Sequence, residues 1–469
     1  MANAADLVVV TLGHSDHDHD NGLRWTTTGF ASLGDSYSAG IGTHLDGTKE
    51  ESCRLGLGAY PALLHTDLGI DVGDLLYVNG KKGKSGKDGE KNLTAFQWLS
   101  CTGATTIDVL GSSASSPGQI DALVTDPAAA ALDFITLSIG GNDLGFFDVI
   151  NACVFRFYGY YSGTCEAALL AAEALVAEDD HSASPTSFSA RLTVILLQLL
   201  ERVRWEKRPQ FRIIVTGYAR FFNADTDLCD SCSMSVWWHY GNATGIPSNA
   251  TDTTYLTKGL RRRMNNLVAG ANRKLAAIVE QVNRRFSGSG HESHKAPHIL
   301  FVDYDAAFDG HRFCEPGVVE PDYKRDETWF FLVGGTDNDD GDGKKGKKGE
   351  EGGALFAPTV DPDSYLVDPF RCRAPADQHG DWGERALCDL VQARAADPGL
   401  MPAVGSLQAD SDTVVFDKDE VEYGNGRLVS PQNSMWYVPT YYGKTFHPRS
   451  NGHMAIRDEM YRIWEENGL

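Results

Sequence analysis

The chain has 469 residues, 42% of them hydrophobic and 23% charged, with a formal net charge of -22. That apolar content supplies a large core and excludes global disorder. The acidic surplus excludes nucleic acid or an anionic membrane surface as the main partner, because a polyphosphate would meet a repulsive field. No run of about 18 apolar residues occurs, so no transmembrane anchor is expected.

Residues 1–25 read as a flexible polar tail, and the run from His14 to Asp20 fits a solvated segment better than a metal site. The opening Met1–Asp6 lacks the basic and apolar regions of a secretory signal. Nine cysteines, with glycosylation sequons at Asn92, Asn242 and Asn249, nonetheless point to an oxidising, extracellular setting. A signal already removed is the expectation.

From residue 26 to 469 a single domain is expected. Short apolar runs alternate with helical patterns, the rhythm of βα units around a parallel sheet. The predicted strands are Gly29–Leu33, Phe96–Leu99, Phe134–Ile139, Arg212–Thr216 and Ile299–Val302. Apolar residues at three- and four-residue spacing predict helices over Thr186–Trp205, Thr257–Phe286 and Ser450–Glu466, the last with a stripe of Ile456, Met460, Ile463 and Trp464. Residues 81–91 and 334–353 are Gly-, Lys- and Asp-rich and read as low-complexity surface loops. In the second, Asn338, Asp340, Asp342 and Gly343 echo a calcium loop, but Gly349 stands where the bidentate glutamate belongs, so no calcium is expected. Residues 305–444 lack the βα rhythm and read as a large excursion over the top of the sheet.

Three segments carry chemistry. The first predicted strand runs into Gly34-Asp35-Ser36 and then a helix, which exposes a serine hydroxyl at the carboxyl end of the sheet. The serine's own N–H then lies at a helix start, where it can stabilise an oxyanion. The third predicted strand ends in Gly140-Gly141-Asn142-Asp143, where an asparagine amide can reach the same oxyanion. His447-Pro448 directly precedes the last helix, and a neutral imidazole on a serine hydroxyl is the usual activator of that weak nucleophile. His453, at the start of that helix, reads as structural. Taken singly, Gly-Asp-Ser is an ordinary N-cap and Asn-Asp an ordinary turn.

In this order the three blocks resemble the SGNH (GDSL-like) hydrolases. Ser52-Cys53-Arg54, Tyr60-Pro61, the stretch Leu99–Thr105 and Phe308–Cys314 are similar to its secreted actinomycete and fungal lipase–esterase branch. The resemblance implies a three-layer α/β/α sandwich with a flavodoxin-like, mainly parallel sheet. It also implies roles for Ser36 as nucleophile, His447 as base, and Gly103 and Asn142 as oxyanion donors, without a metal or organic cofactor. One position departs from the family. Where members commonly carry an aspartate three residues before the histidine, this chain has Lys444, and no carboxylate occurs between Tyr423 and His447. A Ser–His dyad is therefore expected, with the main-chain carbonyl of Lys444 holding the imidazole and the lysine side chain in solvent. Asp303 and Asp305 are the carboxylates that could displace that reading.

The resemblance pairs Cys53 with Cys101. Cys153 with Cys165 would close a small loop after Asn142. Cys229 and Cys232 read as a small-loop disulfide, since no second CxxC or His cluster completes a zinc set. Cys314 would take Cys372 or Cys388 and leave one thiol free. The expected function is a monomeric secreted ester hydrolase. The alternatives are a polysaccharide deacetylase or phospholipid acyl hydrolase on the same site, or an inactive secreted binding protein. Short or medium acyl chains are expected, and Trp436, Tyr437, Tyr441 and Tyr442 are candidates for an acyl pocket or a sugar platform.

Overall fold

The computed structural model describes residues 29–44, 53–68, 95–113, 116–125, 132–155, 164–178, 186–208, 210–234, 254–286, 298–322, 325–332 and 443–467, with short pieces at 10–11, 24–25, 77–78, 81–82, 184, 337, 370–374, 388, 392 and 396. The sequons, the run from His14 to Asp20, the calcium-like stretch from Asn338 to Gly349 and the four aromatics from Trp436 to Tyr442 lie outside the described residues.

Five strands form the centre of the sheet: β1 (Gly29–Gly34), β2 (Ala95–Trp98), β3 (Phe134–Ser138), β4 (Arg212–Thr216) and β5 (His298–Val302). They pair in parallel, in the order β2-β1-β3-β4-β5. This is the doubly wound, flavodoxin-like order, and each strand lies within a residue of its predicted bounds. Short strands at Tyr77–Val78 and Lys81–Lys82 extend the β2 edge, the outer one antiparallel. The helices are α1 (Ser36–Ala39), α2 (Tyr60–Asp67), α3 (Thr106–Leu110), α4 (Gln119–Ala122), α5 (Phe146–Ile150), α6 (Cys165–Ala177), α7 (Phe188–Val203), α8 (Lys258–Phe286) and α9 (Ser450–Glu466).

The strand register explains how the faces are filled. Phe30 lies opposite both Phe96 and Phe134, and the three rings stack across three strands, with centroids 4.4 and 4.7 Å apart. On that face His65 of α2 stacks on Phe96 at 5.0 Å, and Trp464 of α9 meets Phe134 edge-on at 4.9 Å. Alternation sends Ala31, Gln97 and Ile135 to the other face. There the Gln97 side chain both donates to and accepts from the main chain of Val124, and Arg202 of α7 donates to the Leu123 carbonyl. Helix α7 begins where Ser187 accepts the Ala190 N–H at 3.2 Å, and it buries Leu192, Ile195, Leu196 and Leu199. The start of α9 is capped from a distance, since Asp337 accepts from both the N–H and the hydroxyl of Ser450.

Disulfides join Cys53 to Cys101 and Cys153 to Cys165, as expected, and two further pairs depart from the expectation. Cys229 bonds Cys314, and Cys372 bonds Cys388. The segment after β4 and the segment after β5 are neighbours through the bridge between Phe222 and Phe313, so Cys229 finds a partner across space rather than three residues along. Cys232 is left as a buried thiol, pushed up to about 12 by burial first, which makes it inert. No helix among the described residues is long and apolar enough to cross a membrane.

Candidate active site

Sheet order reverses between β1 and β3, and a crevice opens at the carboxyl ends of those strands. The candidate residues leave from this point. Gly34 ends β1 at φ 128°, and a Cβ there would stand 1.9 Å from the carbonyl oxygen of Ser138 in β3. Only glycine lets the two strand ends approach so closely. Asp35 then caps α1 by accepting the Tyr37 N–H at 3.0 Å, so Ser36 occupies the first helical position.

The Ser36 hydroxyl lies 2.6 Å from Nε2 of His447. Nδ1 of the same ring lies 3.2 Å from the carbonyl oxygen of Thr445. A carbonyl only accepts, so Nδ1 carries the proton and Nε2 is free to take the serine's. The sequence pointed to the carbonyl one residue earlier. That of Lys444 instead accepts the main-chain N–H of His447 at 2.9 Å, closing a turn. Phe446, at φ 67°, bends the chain within this turn. Burial lowers His447 to about 4, partly offset by the carbonyls of Thr445 and Lys444.

No carboxylate is bonded to the His447 ring among the described residues. Asp305 accepts from Arg220 at 2.6 Å and from Arg312 at 3.1 Å, while Asp303 accepts from Asn272. The Lys444 side chain departs from the expectation of free solvation. Its Nζ stands 4.7 Å from the Phe331 ring centroid, and burial lowers it to about 8. The stem packs beside Gly42, where an added Cβ would crowd it at 2.8 Å. His453 is fully buried and accepts the Tyr60 N–H at 3.3 Å, consistent with a structural place.

Asn142 lines the cleft, and its Nδ2 donates to the Ala104 carbonyl at 2.9 Å. An amide nitrogen carries two N–H groups, so this bond fixes the side chain and uses one of them. Gly103, one residue before Ala104, is buried at φ 84° and is not among the described cleft-lining residues. Its loop is held on two sides. Cys101 donates to the Gly34 carbonyl at 3.0 Å, and the bridge to Cys53 ties it to a segment whose carbonyl accepts the Thr102 N–H. Asp143 serves the scaffold instead, accepting from Thr106 and Arg191 at the start of α3.

The rest of the lining is largely aromatic: Phe146, Phe147, Phe221 and Phe446, with Ile150. Two tyrosines that the sequence reading passed over complete the floor. The Tyr37 hydroxyl donates to the Phe446 carbonyl at 2.8 Å, and that of Tyr218 donates to Asp35 at 2.6 Å. Tyr218 lies two residues past the end of β4, so the rule that sites gather at strand carboxyl ends was the available signal. Asp35 is almost fully buried, and burial raises it to about 7 against the bonds from Tyr218, Tyr37 and Ser138.

No family model matches the chain. In sequence it is 25% identical over 213 residues to a lipase of Streptomyces rimosus, covering 45% of this chain and 59% of that one. It is 26% identical over 198 residues to lipase 1 of Streptomyces coelicolor, covering 42% and 55%. The chain thus spans a little over half the length of these relatives. In structure, an extracellular lipase of Streptomyces rimosus aligns with a TM-score of 0.37 at 21% identity, over 62% of this chain and 86% of that one. The sequence relatives bear out the resemblance to the SGNH hydrolases read from the motif blocks.

Proposed function

We propose that this chain, SGNH-like in its motifs and related in sequence to bacterial lipases, is a secreted serine ester hydrolase working through a Ser–His dyad. The 2.6 Å contact between Ser36 and the outward nitrogen of His447, at the switch point of the sheet, carries the reading. His447 takes the hydroxyl proton as Ser36 attacks the ester carbonyl. The oxyanion is met by the N–H groups of Ser36 and Gly103 and by the Asn142 amide. The C–O bond to the alcohol breaks as the imidazolium returns its proton to the leaving oxygen. Water, deprotonated by the same ring, then releases the acid and restores Ser36.

The cleft lining of Phe146, Phe147, Ile150, Phe221 and Phe446 favours an apolar acyl chain over the lone acetyl group of a sugar ester. Four disulfides support folding in an oxidising compartment. Initial rates on 4-nitrophenyl esters from acetyl upward test the reading, with Ser36→Ala measured beside the parent protein. Rates that rise from acetyl to butyryl and vanish in the variant are expected. Ester hydrolysis that survives in Ser36→Ala refutes it.

A further inference from the structure

Asp35 and Tyr218 are both almost fully buried and line the same cleft as Ser36, and the proposed reaction uses neither. The phenol hydroxyl of Tyr218 makes two bonds in opposite senses. It donates to Asp35 Oδ2 at 2.6 Å and accepts the Gly141 N–H at 2.8 Å. One end of this link is the residue that caps the nucleophile's helix, and the other is the residue before Asn142. The second oxygen of Asp35 accepts the Tyr37 N–H at 3.0 Å and the Ser138 hydroxyl at 3.1 Å, so the carboxylate already grips the ends of β1 and β3.

Tyr218 is itself held from the far side. Asn272 of α8 accepts its N–H at 2.9 Å and donates to its carbonyl at 2.8 Å. The ring packs edge-on to Tyr37 at 5.0 Å and to Phe146 at 5.6 Å. The hydroxyl is therefore held in a fixed place in the floor of the cleft. A side chain that only filled space there would not need it.

We propose that Tyr218 is a positioning residue, joining the nucleophile loop to the Gly141–Asn142 oxyanion loop through Asp35, and that this junction sets turnover rather than substrate binding. The inference rests on the ester-hydrolase reading above. An oxyanion donor works only where it is aimed beforehand, so slack in the loop weakens the transition state more than the ground state.

The experiment measures kcat and KM on 4-nitrophenyl butyrate for the whole chain, per titrated active site. The set is the parent, Tyr218→Phe, Asn142→Ala and their double variant, with Ser36→Ala alongside. Tyr218→Phe keeps the ring and removes the hydroxyl. It is expected to lower kcat about 10- to 100-fold, with KM within about twofold. In the Asn142→Ala background the same change is expected to cost less than about threefold, because the loop it aims has lost its donor. A purely structural role would lower the melting temperature and leave both figures alone. If Tyr218→Phe does not fold, Asp35→Asn decides by the same criteria, since its amide turns the phenol from donor to acceptor and breaks the relay. A parental kcat in Tyr218→Phe, or an undiminished loss in the Asn142→Ala background, overturns the inference while an inactive Ser36→Ala leaves the hydrolase reading standing. Activity in Ser36→Ala removes the reading itself.

Discussion

The nucleophile and its base are held by two different kinds of structure. Ser36 and Asn142 leave the ends of adjacent parallel strands, so their spacing is set by the ladder between β1 and β3. His447 stands on a turn outside the described strands. Main-chain bonds tie that turn to residues 329–331, with Phe331 donating to the His447 carbonyl and Phe446 to the Phe331 carbonyl. Around it Phe221, Phe222 and Phe313 gather on Phe446, with ring centroids 4.8 to 5.4 Å apart. A sheet positions side chains by repetition. A loop must be positioned by particular contacts, and each of those is a place where the base can be displaced without disturbing the nucleophile.

The largest test treats the two sides as one unit. Ser36→Ala and His447→Ala should each cost several orders of magnitude in kcat, and the double variant should be no worse than either. Additive losses would mean that the two do not share a step. Acidity separates them next. Burial holds the imidazole at about 4, and no carboxylate among the described residues is bonded to its ring to raise it. Since His447 acts only when neutral, kcat/KM should persist through pH 6 and fall as pH drops through about 4. An acid limb at or above the ordinary histidine value would point to a carboxylate on Nδ1 and against the dyad.

Asn142→Ala should be milder, on the order of 100-fold in kcat, because two main-chain donors remain. A change confined to KM would remove it from the oxyanion site. Loss of the Cys53–Cys101 bridge comes below that in activity and shows first in stability. A disulfide is worth about 2–4 kcal/mol, and this one holds the loop that carries Gly103. The double Cys→Ala variant should melt earlier and lose oxyanion stabilisation together. Unaltered turnover in the folded fraction would uncouple the bridge from the site.

The same contrast governs how far the sequence could be read. The strands were legible to within a residue because each is a short, largely buried and mainly apolar run, and α9 because its stripe repeats at helical spacing. Ser36, Asn142 and His447 were legible because each adjoins such an element. The carbonyl bonded to Nδ1 lies one residue later than expected, at Thr445, with that of Lys444 also acting on the ring, because the backbone bends at Phe446, which periodicity does not report. The partner of Cys229 was misread because spacing favours Cys232, whereas the bond follows the approach of two strand-end segments. Tyr218 carried a signal only through its place after β4.

The smallest expected effect belongs to Lys444, at the position where the motif resemblance led to the expectation of an acid. Its side chain lies along Gly42 and over the Phe331 ring. Burial first, then the carbonyls of Thr445 and Lys444, set the acidity of His447. Truncation at Cβ keeps the carbonyl that closes the turn onto the His447 N–H. What is lost is packing and a cation–π contact, worth about 0.5–2 kcal/mol depending on desolvation. Because Phe331 bonds the histidine's own turn, that loss is felt as slack in the base rather than as missing chemistry. Lys444→Ala should therefore keep kcat/KM within about threefold and leave the acid limb where it was. A loss beyond tenfold, or a limb that moves with the substitution, would show that the ammonium acts on His447 after all.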